Sequence, residues 1–105
     1  MMTDDKQALF WDLAASLLEE TGVTKNTMMG YPCLRSDGNF FASVIPQSGN
    51  LVVKLPKTRV TSLIEAGAGL AFAPNGRAFK EWIQVADRDE QLWQTLMAEA
   101  MAFVS

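Results

Sequence analysis

The chain has 105 residues, of which 49% are apolar and 20% are charged, as expected for one soluble globular domain spanning residues 1–105. It contains no histidine and one cysteine, so an intramolecular disulfide is excluded and the commonest general base and metal ligand is missing. Seven of the nine basic residues lie between Lys25 and Lys80, and the flanking segments are acidic. With neither a long apolar segment nor an N-terminal export signal, we expect a cytoplasmic protein that binds no membrane, metal or cofactor.

The N-terminal segment predicts an amphipathic helix over residues 4–21, because apolar residues recur there at spacings of three and four. Thr3 or Asp4 is the predicted N-cap, since both side chains accept hydrogen bonds from free backbone N–H groups. Gly22 is the predicted stop, because glycine adopts the left-handed backbone that ends many helices.

From Thr24 to Leu55 the apolar spacing changes towards two, which predicts an antiparallel meander of three strands. Asp37-Gly38 predicts a two-residue type I′ hairpin, in which both central residues have positive φ. Pro32 has no N–H to donate, so its strand is predicted either to lie at an edge or to begin pairing just after it. The predicted strands are Tyr31–Ser36, Asn39–Ile45 and Leu51–Leu55.

A short second helix is predicted between Pro56, which suits a first helical position, and Gly67. Two short strands, Leu70–Ala73 and Glu81–Val85, are predicted next, separated by a turn at Pro74-Asn75-Gly76.

Asp87 and Glu90 predict a capping box at the start of a terminal helix that runs almost to Ser105. The resulting order, α-β-β-β-α-β-β-α, predicts an α+β fold: a two-layer sandwich in which helices pack on an antiparallel sheet.

The second face of that sheet is predicted to be covered, because both alternating sets of the strand Phe40–Ile45 are apolar. Simple alternation would place four large apolar residues opposite the main core, a larger patch than a monomer usually exposes. A homodimer or another protein partner is therefore one expected occupant. The candidate interface residues are Phe41, Ile45, Val52 and Trp82.

Several short motifs occur in a characteristic order: Met28-Met29-Gly30, Asp37-Gly38-Asn39-Phe40-Phe41-Ala42, Leu51-Val52-Val53-Lys54-Leu55-Pro56, Arg59-Val60 and Lys80-Glu81-Trp82. In these motifs the stretch from Thr27 to Val104 resembles the N-terminal domain of the TfoX/Sxy competence-regulator family, which also occurs as a small stand-alone bacterial protein. Met29 and Cys33 depart from the family pattern, which has phenylalanine and glycine there. The resemblance implies the same order of helices and strands and a role in bacterial regulation, and it supplies no catalytic residues.

The segments that carry the resemblance also contain three basic residues, Lys54, Arg59 and Lys80. If Arg59 lies in the first turn of the second helix, unpaired backbone N–H groups are close to it, and together these groups predict an anion site. The alternative is that all three side chains are solvated or paired with the acidic helices of the same molecule.

The leading functional expectation is a non-enzymatic protein-interaction or regulatory module, and the alternative is an anion or small-ligand binding module. A third possibility is weak nucleic-acid binding, with Phe41, Trp82 and Tyr31 available for stacking, although a pI near 4.8 argues against a strong interaction. An enzyme is not expected: Cys33 has no histidine to activate it, and the common nucleophile and phosphate-loop motifs do not occur.

Overall fold

The computed structural model describes residues 2–28, 30–73 and 76–105, and it confirms an α+β fold with helices packed on an antiparallel sheet. Three helices and six strands follow one another along the described chain. Their bounds are α1 Met2–Leu17, β1 Val23–Met28, β2 Tyr31–Ser36, β3 Asn39–Val44, β4 Leu51–Lys54, α2 Lys57–Glu65, β5 Leu70–Ala71, β6 Trp82–Val85 and α3 Glu90–Val104.

The six strands form one sheet in the order β1-β2-β3-β4-β6-β5. The first four strands are consecutive neighbours, and β6 then inserts between β4 and β5. Strand residues alternate between two faces, so each register row of the sheet presents its side chains on one side only. One such row, buried against the helices, consists of Leu34, Ala42, Val53 and Ile83.

The helices share this buried face. Helix α3 contacts β2, β3 and β4, with Trp93, Leu96 and Met97 fully buried. Helix α1 packs beside α3 and contributes Phe10 to the core, and α2 packs near β5 and β6 and contributes Val60. The indole Nε1 of the buried tryptophan donates a 2.8 Å hydrogen bond to a backbone carbonyl, so its one polar atom is satisfied. The main core therefore lies between the sheet and a single layer of helices.

The meander has four strands, not the predicted three, because Val23–Met28 forms an additional edge strand. Strand β2 is consequently internal, and the expectation that Pro32 marks an edge strand is wrong. Its ladder with β3 begins at Cys33, which agrees with the second expectation, that pairing starts just after the proline. The missing N–H of the proline therefore does not interrupt the ladder with β3.

The Asp37-Gly38 hairpin is confirmed: the two residues have φ of 53° and 87°, as a type I′ turn requires. Helix α1 begins at Met2 and ends at Leu17, so Thr3 and Asp4 lie inside the helix and not at its cap. The chain turns through residues 18–22 before β1 begins.

Helix α2 begins at Lys57, so Pro56 is its N-cap and not the first helical residue that was predicted. Gly67 follows the end of the helix with a φ of 76°. The next turn prediction falls largely on Pro74 and Asn75, which lie outside the described residues. At Gly69 a Cβ would lie 2.5 Å from Ile83 Cδ1, so the close packing of the chain on β6 requires glycine there.

The N-cap of α3 is Asp89 and not the predicted Asp87. The Asp89 carboxylate accepts a 3.0 Å hydrogen bond from the Leu92 N–H, and the Asp87 carbonyl instead accepts the bond from the buried Trp93. Among the helices of residues 2–28, 30–73 and 76–105, none is long and apolar enough to cross a membrane.

Candidate anion-binding cleft

A cleft lies where β4 ends, α2 begins and the chain enters β6. Lys54 is the last residue of β4 and Lys57 is the first residue of α2. Lys80 and Trp82 come from the entry into β6, where Trp82 pairs with Lys54 across the strands. We call this site the lysine cleft, after Lys54, Lys57 and Lys80.

Backbone hydrogen bonds fix the segment that forms the outer wall. The Leu55 N–H donates to the Glu81 carbonyl at 2.9 Å, which continues the ladder of β4 and β6 beyond the strand ends. The Phe79 carbonyl accepts from the Trp82 N–H at 3.1 Å, and the Phe79 N–H donates to the Phe72 carbonyl at 3.0 Å. Phe72 is buried, and its ring meets that of Phe79 edge to face with the centroids 5.9 Å apart. The half-exposed Phe79 is thus held in place by a buried aromatic partner.

The cleft has two compartments that share Lys57, Ala78, Phe79, Lys80 and Trp82 as common lining. The first, which we call the lysine compartment, has a volume of about 500 Å³ and adds Lys54 and Glu81 to this lining. The second, which we call the apolar compartment, has a volume of about 360 Å³ and extends along α2. Its additional lining is Val60, Thr61, Ile64 and Ala71. Both volumes fall within the usual range of small-molecule sites, about 300–1,000 Å³.

The lysine compartment is electropositive. Its lining contains three ammonium groups and one carboxylate, that of Glu81. Among the side chains that the structure describes, none of the three lysines forms an ion pair. Helix α2 adds to this field, because its first turn contains no acidic residue and its N-cap, Pro56, makes no side-chain hydrogen bond. An anion entering this compartment would therefore neutralise charge that the described part of the protein leaves uncompensated.

Arg59 lies in the first turn of α2, as expected, but its guanidinium points to another helix. Its Nε and Nη2 donate to the two carboxylate oxygens of Glu99 at 3.0 and 3.1 Å. This hydrogen bond with Glu99 raises the pKa of Arg59. Of the three predicted anion-site residues, Lys54 and Lys80 line one compartment, whereas Arg59 joins α2 to α3.

Lys57 and Phe79 also line the cleft, although neither was among the predicted site residues. Lys57 follows the helix-starting Pro56 and is three residues from Lys54, which was the available signal. Phe79 directly precedes Lys80, but its place in the wall depends on the ring of Phe72, which pairs with it through the fold and not through local sequence.

The predicted interface set does not form one surface. Phe41 is fully buried in the main core, so it is available neither to a partner nor for stacking on bases. The reason is a β-bulge: Arg35 pairs with Phe40 while Leu34 pairs with Ala42, so Phe41 is the extra residue in β3. The bulge shifts the alternation, and Phe40 instead packs under Arg35, whose Cζ lies 4.9 Å from the ring centroid.

Val52 is on the second face, as predicted, but its exposure is 0% within the single chain. Cys33 and Ser43, its neighbours along the register row, are also buried. Ile45 and Trp82 are half-buried and lie at opposite ends of β4, one beside Asn50 and the other beside Lys54. The expectation of a contiguous exposed patch is therefore wrong.

The Cys33 thiol is free and buried in the middle of β2. Burial raises its pKa, and the charge of nearby Arg35 opposes that shift in part. A buried neutral thiol of this kind is a poor nucleophile. Across the described ranges, no group of three or more cysteine, aspartate or glutamate side chains is placed to hold a metal ion.

Comparison with known proteins adds no identity to this geometry: no family model matches the sequence, and no curated protein matches it. The resemblance to the TfoX/Sxy N-terminal domain therefore stays a prediction, and the function must be argued from the cleft itself.

Proposed function

We propose that the protein is a non-enzymatic regulatory module that acts by binding an anionic ligand in the lysine cleft. The observation that supports this proposal most directly is the convergence of Lys54, Lys57 and Lys80 on one cleft that is open to solvent. These residues come from a strand, a helix and a connecting segment, so the fold holds three like charges together. Like charges repel at such sites, and an anion between them removes that cost.

A protein-binding surface made of Phe41, Ile45, Val52 and Trp82 is not part of this function, because two of the four residues are fully buried. The predicted resemblance to the TfoX/Sxy family adds a regulatory setting in bacteria. In that setting, occupancy of the cleft by a charged metabolite or a charged group of a larger partner would be the regulated event.

Titration calorimetry with inorganic pyrophosphate at low ionic strength tests the proposal. Each lysine is at least partly exposed, so its contribution is that of a surface charge, about 0.2–1 kcal/mol. Replacing Lys54, Lys57 or Lys80 singly by alanine should therefore weaken binding by up to about fivefold. Added salt should weaken binding to the wild-type protein as well, since the site is open to solvent.

Two further variants separate a local effect from a general one. Lys25→Ala removes the same charge from β1, where the ammonium lies 5.0 Å from the ring centroid of Trp11 on α1, and should leave pyrophosphate binding unchanged. Glu81→Gln removes the carboxylate from the lysine compartment and should strengthen binding by up to about fivefold. Equal losses in Lys25→Ala and Lys57→Ala, or no measurable binding at all, would refute the proposal.

A further inference from the structure

The two compartments of the lysine cleft are adjacent and chemically different. Both contain Lys57 and Lys80 in their lining. The lysine compartment adds Lys54 and Glu81, whereas the apolar compartment adds Val60, Thr61, Ile64 and Ala71. A simple inorganic anion would occupy the first compartment and leave the second filled only with water. Apolar surface kept in contact with water costs free energy that an apolar group of a ligand would recover.

The walls of the apolar compartment indicate the shape of that group. Phe79 and Trp82 line it from the segment that enters β6, and Thr61 and Ile64, three residues apart, line it from α2. Phe79 and Ile64 are 38% and 39% exposed, so each presents apolar surface to a ligand. Flat aromatic groups stack well against such rings, and a volume of about 360 Å³ accommodates one ring system together with its surrounding space.

We propose that the ligand of the lysine cleft is an aromatic anion, meaning a flat ring that carries a phosphate or carboxylate group. The acidic group occupies the lysine compartment beside Lys54 and Lys80, and the ring lies in the apolar compartment between α2 and Phe79. This inference rests on the anion binding proposed above and adds the chemical class of the ligand.

The test compares three probes by titration calorimetry: inorganic phosphate, phenyl phosphate and the neutral benzyl alcohol. Phenyl phosphate should bind the wild-type protein roughly tenfold more tightly than inorganic phosphate, which corresponds to about 1.4 kcal/mol. Benzyl alcohol should bind more weakly than phenyl phosphate, because it makes no charged contact. Cyclohexyl phosphate, with a puckered ring of similar size, should bind more weakly than phenyl phosphate as well.

Two substitutions on α2 locate the ring. Thr61→Phe fills the apolar compartment and should reduce phenyl phosphate to the affinity of inorganic phosphate, while the affinity for inorganic phosphate itself stays unchanged. Thr58→Phe is the matched control, because Thr58 is exposed on the same helix and lines neither compartment. It should leave the binding of both probes as in the wild-type protein.

The outcomes separate this inference from the function on which it rests. If inorganic and phenyl phosphate bind equally, and both are lost in Lys54→Ala/Lys80→Ala, the cleft binds anions but the aromatic class is wrong. The class is also wrong if cyclohexyl phosphate matches phenyl phosphate, or if Thr61→Phe leaves the tenfold difference intact. If neither phosphate binds the wild-type protein but pyrophosphate does, the aromatic class is wrong and the anion site stands; if pyrophosphate also fails to bind, both proposals fail.

Discussion

The β-bulge in β3 predicts that two adjacent phenylalanines differ sharply in their contribution to stability. Phe41 is fully buried in the main core, so Phe41→Ala should cost about 3–5 kcal/mol of the free energy of unfolding. Phe40 is half-buried on the other face and contacts the Arg35 guanidinium. Phe40→Ala should cost only about 1 kcal/mol, most of it the lost cation–π contact and part of the ring burial.

Urea unfolding followed by tryptophan fluorescence measures both values, with the buried Trp93 as a reporter of the core. A denaturant slope of about 1.5 kcal/mol per molar is typical for a small domain. With that slope, Phe41→Ala lowers the urea midpoint by at least about 2 M, and Phe40→Ala lowers it by well under 1 M.

The total stability of a small domain is only about 5–15 kcal/mol, so Phe41→Ala has the potential to prevent folding altogether. Phe41→Leu keeps most of the apolar volume and should still cost more than Phe40→Leu. A larger loss at Phe40 would mean that the strand alternates regularly and that the bulge is absent, and equal midpoints for the two leucine variants would contradict the difference in burial.

Three further predictions concern other parts of the fold. Burial raises the pKa of the Cys33 thiol in the folded protein. The stabilisation from this group is therefore complete below the pKa of an unfolded cysteine, about 8.5, and is lost as the pH rises through the folded pKa. The urea midpoint should fall with this titration above about pH 8.5, and Cys33→Ala should abolish the fall that the thiol causes. Gly69→Ala should lower the free energy of unfolding by about 1–3 kcal/mol and Gly67→Ala by about 1 kcal/mol, because Gly69 has no room for a Cβ whereas Gly67 has room but a φ of 76°. Urea unfolding measures both values, and the reverse order would contradict the close packing on β6. A double-mutant cycle between Arg59 and Glu99 should give a coupling energy of about 0.2–1 kcal/mol that falls with added salt, because both side chains are more than a third exposed. A salt-independent coupling energy above about 2 kcal/mol would contradict that exposure.

Sequence predicted those parts of the fold that local chemistry determines. The Asp37-Gly38 turn was predictable because positive φ at both residues favours this dipeptide over most others. The start of α2 was predictable to within one residue because the fixed φ of Pro56, here −54°, suits a helix entry, although the proline is the N-cap and not the first helical residue. Strand β1 was missed because it is an edge strand of mostly polar residues and shows little apolar alternation. Among its described side chains, Val23 is the buried apolar one.

The remaining features depend on pairing between distant segments. The bulge at Phe41 depends on how β2 and β3 pair, and no residue of β3 is by itself a sequence signal for a bulge. Lys54 and Lys80 could be selected from sequence as basic residues of the motifs, but their shared cavity requires the pairing of β4 with β6. Arg59 does not line the cleft because its guanidinium pairs with Glu99, and local sequence does not show this partner, which is 40 residues away on another helix.

The late position of β6 and α3 in the chain has a consequence for biosynthesis. The meander β1–β4 is complete by residue 54, yet its apolar face is covered by Trp93, Leu96 and Met97 of α3, and β4 gains its second neighbour only from β6. A nascent chain that has emerged only as far as β5 therefore lacks α3, and the part of the sheet that α3 covers is exposed to solvent or to a chaperone. Ribosome-bound chains halted before residue 82 should be cut readily by protease, and chains halted after the emergence of residue 104 should resist it.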